Sequence, residues 1–192
     1  DFTRIDNDDI VNQLQFIIES ENEEGADYSY ERDALSFIGK LANGGMRDSI
    51  TRLEKVLDYS HHVDMEAVSN ALGVPDYETF ASLVEAIANY DGSKCLEIVN
   101  DFHYSGKDLK LVTRNFTDFL LEVCKYWLVR DISITQLPAH FETKLEHFCE
   151  AFQYPTLLWM LEEMNELAGI VKWEPNAKPI IETKLLLMSK EE

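Results

Sequence analysis

Residues 108–130 read DLKLVTRNFTDFLLEVCKYWLVR, and this stretch decides the fold class. Wound as an α-helix, it carries apolar side chains around more than half of its circumference. A helix of that kind is typically central, either within a helical bundle or in a subunit interface. The pattern therefore predicts one long helix around which the neighbouring segments pack.

Helical spacing of apolar residues continues on both sides of this stretch. The pattern predicts helices over residues 5–18, 30–41, from 46, from 65 to 72, 76–89, 93–102, from 137, from 155 and from 179. Residues 61–64 are expected to form a connector, with Asp64 as an N-cap. Turn and cap residues separate the helices at Gly25, Asn43-Gly44-Gly45, Gly73, Asp91-Gly92-Ser93, Ser105-Gly106, Pro138, Pro155, Pro175 and Pro179.

Val74-Pro75-Asp76 is the best candidate for a domain boundary, because the helices after it are longer and more aromatic. Residues 1–73 should hold three to four helices, and residues 74–192 about six. No alternating strand pattern of useful length appears. The prediction is an all-α protein made of a small helical bundle followed by a larger helical domain.

The charge balance argues against a nucleic-acid-binding role for the chain as a whole. Its 192 residues include 17 Lys and Arg against 36 Asp and Glu, for a net charge of −19. Proteins gain affinity for duplex DNA by placing cations on phosphates, so this chain should bind DNA poorly on its own. No apolar run approaches the length of a membrane-spanning helix, and no secretory signal is visible. The chain begins at Asp1 rather than Met, which suggests a piece of a longer protein.

The three cysteines, Cys95, Cys124 and Cys149, are far apart and form no CxxC pair. A zinc site is therefore not expected. An odd number of cysteines without a secretory signal fits a reducing, cytoplasmic compartment. Each cysteine stands among apolar helical residues, which favours a place in the core.

The sequence shows no catalytic motif. Gly44-Gly45 is not followed by the Lys-Ser/Thr of a phosphate-binding loop, and neither GxSxG nor HExxH occurs. His140, Glu142 and His147 come nearest to a ligand set, but their spacing does not suit a metal site on a helix. His61-His62 is expected in a solvated turn. We therefore predict no catalytic residue and no metal ligand.

One segment, Asn43-Gly44-Gly45-Met46-Arg47-Asp48-Ser49-Ile50, has features of an anion site. Two glycines leave room for a close ligand at the start of a helix, whose free N–H groups favour phosphate. Arg47 in the first turn adds a planar, permanently charged fork for phosphate oxygens. The other interpretation is a plain turn followed by a surface arginine beside Asp48.

The segment Gly44-Gly45-Met46-Arg47-Asp48-Ser49 resembles the sensor-2 motif of the gamma/tau family of bacterial DNA polymerase III, the motor subunits of the clamp loader. Ser49 in place of a common alanine, Arg52 in place of an apolar residue and Glu54-Lys55 in place of Asp-Gln suggest a divergent member. Further stretches similar to the family are Phe2-Thr3-Arg4-Ile5, Asp33-Ala34-Leu35, Ala71-Leu72-Gly73, Tyr90-Asp91-Gly92 and Gly106-Lys107-Asp108-Leu109.

The resemblance implies an AAA+ lid over residues 1–73 and an oligomerising collar over residues 74–192. It implies that Arg47 contacts the γ-phosphate of ATP, held with Mg²⁺ by a separate core domain, and that Met46 packs near the nucleotide. The chain alone would not hydrolyse ATP. The parent would load the sliding clamp onto primed DNA, joined to other clamp-loader subunits through the collar.

Two other functions remain open. The chain could be a structural helical interaction module that makes no nucleotide contact, or its first 73 residues could be the lid of another AAA+ machine such as a helicase loader. The clamp-loader interpretation predicts exposed apolar surface on the helix over residues 108–130, since collar contacts would cover it only on assembly.

Overall fold

The computed structural model describes residues 5–191, and over this range the protein is almost entirely helical, with ten α-helices and one pair of two-residue strands. The all-α prediction is confirmed. The chain divides into two compact units, Asp1–Val74 and Pro75–Glu192, one residue after Gly73. Residues 2–4 of the stretch Phe2-Thr3-Arg4-Ile5 lie outside the described residues.

Unit 1 contains four helices: α1 (Asn7–Glu23), α2 (Arg32–Leu41), α3 (Met46–Tyr59) and α4 (Met65–Leu72). Each helix directs an apolar stripe into one small core, as the helical spacing predicts. The fully buried apolar members of this core are Ile10, Leu14, Ile18, Ala34, Leu35, Ile38, Leu53, Val56, Val63 and Val68.

A short strand pair ties two loops of unit 1 together, which corrects the prediction of a helix starting at residue 30. Ser29–Tyr30 (β1) pairs in parallel with His62–Val63 (β2), so α2 begins two residues later, at Arg32. The Ser29 N–H donates to the His61 carbonyl at 2.9 Å, and the Glu31 N–H donates to the Val63 carbonyl at 2.8 Å. Two residues are too few to show the alternation that marks a strand in sequence.

Aspartate caps set several helix starts. The carboxylates of Asp64, Asp76, Asp91 and Asp108 accept backbone N–H groups at the starts of their helices. Such caps satisfy donors that have no partner inside the helix. Gly73 ends α4 in the left-handed conformation, at a φ of 67°. The predicted caps at Asp64 and Asp91 and the predicted stop at Gly73 are confirmed.

Unit 2 contains six helices: α5 (Tyr77–Ala88), α6 (Gly92–Tyr104), α7 (Leu109–Val129), α8 (Glu142–Ala151), α9 (Tyr154–Val171) and α10 (Lys178–Met188). The helix predicted from Leu137-Pro138 begins as a 3₁₀ turn, Ala139–Phe141, and becomes α-helical only at Glu142. Helix α7 is central, as predicted. It runs antiparallel to α9, since Thr117 bonds to the Met164 carbonyl at 3.3 Å and Trp127 to the Phe152 carbonyl at 3.2 Å.

The core of unit 2 is aromatic at its centre. The ring of Phe80 on α5 lies between those of Phe102, Phe116 and Phe119, at centroid distances of 6.0, 5.6 and 5.9 Å. Contacts of this kind add to the free energy of burying apolar area. They join α5, α6 and α7 into one cluster.

Two of the three cysteines are buried in this core. Cys95 and Cys124 are buried, as predicted, and Cys149 is half-buried. Burial raises the pKa of the Cys124 thiol to about 11. A thiol with a raised pKa is a poor nucleophile at neutral pH, so Cys124 acts as a packing residue.

A buried carboxylate joins α7 to the loop that follows it. Glu122, only 8% exposed, accepts the Gln136 N–H at 3.0 Å and the Lys125 ammonium at 2.9 Å. Tyr77 is half-buried, and its pKa is raised to about 12, first by burial and then by the negative charges of Glu122 and Asp118. The tyrosine hydroxyl is therefore held in its neutral form.

Replacing Tyr77 by phenylalanine should flatten the alkaline pH dependence of stability. The folded-state pKa lies above the ordinary value near 10, so the unfolded chain loses this proton first. Between pH 10 and pH 12, Tyr77 alone should account for a fall of about 1–2 kcal/mol in the free energy of unfolding, and the Tyr77→Phe variant should lack this contribution. Urea titrations at several pH values measure this difference. Tyr104→Phe, at an exposed position, should keep the original slope, and an equal slope in the Tyr77 variant would contradict the assignment.

Candidate nucleotide-sensing site

A tight turn leads into the segment that holds Met46 and Arg47. Asn43 and Gly44 both adopt the left-handed conformation, with φ values of 52° and 75°. Glycine reaches this region without strain, and asparagine tolerates it better than most residues do. The Gly44 N–H donates to the Gly39 carbonyl at 3.2 Å, and the Gly45 N–H donates to the Ala42 carbonyl at 3.0 Å. The turn therefore fixes the direction in which α3 begins.

The first turn of α3 has no side-chain cap, unlike those of α4 to α7. Gly45 occupies the N-cap position, and it has no side chain that could accept a backbone N–H. The first bond that closes the helix runs from the Ser49 N–H to the Gly45 carbonyl, at 2.9 Å. By helix geometry the N–H groups of Met46, Arg47 and Asp48 have no acceptor inside α3. They form a small positive surface at the helix start.

Arg47 lies exposed on this same turn. Within residues 5–191 its guanidinium makes no side-chain hydrogen bond or ion pair. The neighbouring carboxylate of Asp48 instead pairs with Arg52, one turn further along, at 3.2 Å. The two residues of the proposed site thus share one turn, with the Met46 side chain half-buried and the charge of Arg47 available to an anion.

Gly39 and Arg52 help to hold this segment in place, although neither was among the predicted site residues. Gly39 on α2 faces α1 so closely that an added Cβ would lie 2.5 Å from Asn7 Oδ1 and 3.0 Å from Ile10 Cγ2. Asn7 in turn donates to Ser36 Oγ at 2.8 Å. A glycine inside a helical pattern indicates close packing in general, but the sequence does not show which helix packs against it.

Arg52 is the ion-pair partner of Asp48. The spacing of four residues between Asp48 and Arg52 could have predicted this pair, because residues at that spacing are neighbours on a helix surface.

The other groups considered from sequence do not assemble into a site. His140 lies 3.5 Å from Glu78, whereas Glu142 accepts the Tyr126 hydroxyl at 3.4 Å. In the described part of the chain, no three His, Cys, Asp or Glu side chains are placed to hold a metal ion. His62 is exposed and bonds through Nδ1 to Ser29 Oγ at 2.7 Å. None of the helices over residues 5–191 is both long and apolar enough to cross a bilayer.

Helix α7 presents part of its apolar surface to solvent. Most of its large side chains face the core of unit 2, but Leu111, Leu121, Leu128 and Val129 are 41–58% exposed. The prediction of exposed apolar surface on this helix is confirmed for these four residues. These four residues belong to unit 2, whereas Met46 and Arg47 belong to unit 1.

Comparison with known proteins places the chain in a family. Residues 63–162 match the family of DNA polymerase III subunits gamma and tau, domain III. This range is more than half of the chain and begins after Met46 and Arg47, so the match does not test the sensor residues.

Three curated relatives are similar in sequence. The chain is 21% identical to DNA polymerase III subunit tau of Bacillus subtilis over 97% of its own length and 32% of that protein. It is 28% identical to subunit tau of Salmonella typhimurium over 50% of the chain and 14% of the relative. It is 22% identical to subunit gamma/tau of Mycoplasma genitalium over 84% of the chain and 26% of the relative. The chain thus spans less than a third of the length of these relatives.

A solved structure shares the fold. The DNA clamp loader delta protein of Bacillus subtilis superposes with a TM-score of 0.56 at 12% identity, over 98% of this chain and 57% of the other. At 12% sequence identity, this superposition shows a shared fold and nothing about function. The family match is the finding that assigns the chain, and by that match it belongs to the gamma and tau subunits of DNA polymerase III.

Proposed function

We propose that this chain is the nucleotide-reading and subunit-joining part of a clamp-loader subunit whose parent uses ATP with Mg²⁺ to load the sliding clamp onto primed DNA. Residues 1–73 would be the AAA+ lid and residues 74–192 the collar. The family match and the similarity to the tau subunits support this role. ATP itself would be held by a core domain of the parent, since the described residues contain no phosphate-binding loop.

The observation that carries the nucleotide-sensing proposal is the available charge at the uncapped start of α3. Free N–H groups and the helix dipole favour an anion there, and a guanidinium binds phosphate oxygens through two parallel hydrogen bonds. Within residues 5–191 Arg47 pairs with no carboxylate, and the neighbouring Asp48 pairs with Arg52 instead. Arg47 would contact the γ-phosphate and so couple its presence to the position of the lid, with Met46 packing near the nucleotide.

Hydrogen exchange tests this contact directly. In the full-length protein, ATP should slow exchange of the Met46, Arg47 and Asp48 amides more than ADP does, because only ATP supplies the γ-phosphate. The matched reference is the Ala67 amide, which Asp64 already caps at 2.7 Å and which should respond equally to both nucleotides. Identical exchange at residues 46–48 with ATP, ADP and no nucleotide would favour the interaction module without nucleotide contact.

The exposed apolar residues of α7 support the joining role. Leu121 and Leu128, seven residues apart, lie on one face of the helix and are 41% and 58% exposed. We propose that this face contacts other clamp-loader subunits. Sedimentation equilibrium of the chain over a wide concentration range should show self-association, weakened in a Leu128→Ser variant. Ile170→Ser, on α9 at 44% exposure, is the matched control. A chain that stays monomeric at every concentration would contradict self-assembly through α7.

A further inference from the structure

Four cations lie on segments that meet at one end of unit 2. Lys107 lies in the turn between α6 and α7, Lys110 and Arg114 lie in the first turns of α7, and Lys172 follows α9. All four are exposed, and within residues 5–191 none of them forms an ion pair with a carboxylate. In a chain with 36 acidic residues, four neighbouring cations without such pairing are unexpected. We call these four residues with Tyr104 and Trp173 the basic end.

Tyr104 and Trp173 are the two most exposed large hydrophobic side chains among the described residues, at 83% and 80%. Tyr104 is the last residue of α6, three positions before Lys107. Trp173 follows Lys172, whose ammonium lies 5.2 Å from the centroid of the indole ring. Tyrosine and tryptophan rings carry large apolar faces that are usually covered. Here both rings are mostly exposed and lie next to positive charge.

Packing brings these segments to the same end of the unit. The Lys110 ammonium donates to the Lys172 carbonyl at 3.4 Å, which links the start of α7 to the end of α9. Phe102, Leu109 and Ile181 line one apolar cavity, so the last turn of α6 and the first turns of α7 and α10 also meet there. The segments that carry the cations and the two rings therefore meet at the same end of unit 2, although they lie far apart in the sequence.

We propose that the basic end binds single-stranded nucleic acid. Cations that follow a backbone and aromatic rings on which bases stack are the two features that hold a single strand without sequence preference. A duplex would gain less, because its bases are already stacked on each other. An acidic peptide would use the cations but would leave the two rings without a flat partner. This inference goes beyond the proposed function, which does not require this chain to contact DNA.

The acidity of the whole chain limits this binding without preventing it. Charges more than about 8 Å away are largely screened at physiological ionic strength, so the local set decides the contact. Of the nearby carboxylates, Asp108 caps α7 by accepting the Lys110 N–H at 3.0 Å. Asp101 and Glu174 also lie close in sequence and should weaken the interaction. We therefore expect modest affinity and strong salt dependence.

Fluorescence anisotropy of a labelled oligothymidylate, titrated with the 192-residue chain, measures the binding. The slope of log K against log salt should be about −2 to −3, since up to four phosphates are neutralised on a single strand. Trp173→Ala and Tyr104→Ala should each weaken binding about tenfold through lost stacking. Lys107→Gln and Arg114→Gln should weaken binding and reduce the salt slope.

Matched controls and a competitor separate the possible outcomes. Trp159→Ala, on α9 at 43% exposure, and Lys94→Gln, whose lysine pairs with Glu97 at 3.0 Å, should leave binding unchanged. Absence of binding at low salt would overturn the proposal. Equal affinity for polyglutamate, with no effect of Trp173→Ala, would also overturn it and indicate an acidic-peptide surface. The experiment uses no ATP or ADP, so its failure would not bear on the role of Arg47.

Discussion

Replacing Arg47 by alanine should lower ATP turnover and clamp loading by the full-length protein about 10²–10³-fold, the effect typical of removing one donor that stabilises developing charge. The variant removes the guanidinium from an exposed position and disturbs no packing. The fold of unit 1 should therefore remain intact. Steady-state ATPase and clamp-loading assays on the assembled complex give the result, and circular dichroism checks the fold.

A second exposed cation on the same helix, Lys55, provides the control for this experiment. Lys55 is an exposed cation of α3, more than two turns beyond Arg47, and no ion pair of Lys55 is seen within residues 5–191. Lys55→Ala makes the same change in net charge but should leave turnover near its original rate. Arg47→Lys should recover part of the activity, since an ammonium keeps the charge and loses the planar fork. If the Arg47→Ala variant hydrolysed ATP at the original rate, the proposed nucleotide-sensing role of Arg47 would be contradicted.

Helix boundaries were predictable because they depend on local chemistry. Asp64 and Asp91 cap the helices that follow them, and Gly73 ends α4, since each acts on backbone groups only a few residues away. The strand pair Ser29–Tyr30 with His62–Val63 was missed, because its partners are about thirty residues apart and too short to show alternation. Local rules fail where pairing depends on the packed fold.

In the candidate site, too, the local features were predictable from the sequence and the packing contacts were not. Gly44-Gly45 before Arg47 predicted a turn followed by a helix start, and the structure has both. The tight approach of Gly39 to Asn7 was not predictable, since it depends on how α1 and α2 cross. The basic end was hidden for a different reason. A net charge of −19 describes the whole chain, whereas the surface depends on which cations the fold brings together.

Replacing Phe80 by alanine should cause the largest loss of stability in unit 2. Its side chain is 2% exposed and lies against three other phenylalanine rings from two helices. Truncating a buried phenylalanine costs about 3–5 kcal/mol, from lost apolar burial and from the cavity left behind. Domains have only about 5–15 kcal/mol of stability in total. The variant should therefore unfold at a much lower urea concentration than the original chain.

Tryptophan fluorescence makes this measurement specific to unit 2, because all three tryptophans, Trp127, Trp159 and Trp173, lie within it. Tyr104→Ala is the matched control. It removes an aromatic ring from the same unit at a position 83% exposed, and surface changes of this kind usually stay within about 0.5 kcal/mol. If Phe80→Ala and Tyr104→Ala shifted the urea midpoint equally, the aromatic cluster could not be the centre of the core. A large shift for Phe80 alone would show that α5, α6 and α7 depend on it for their packing.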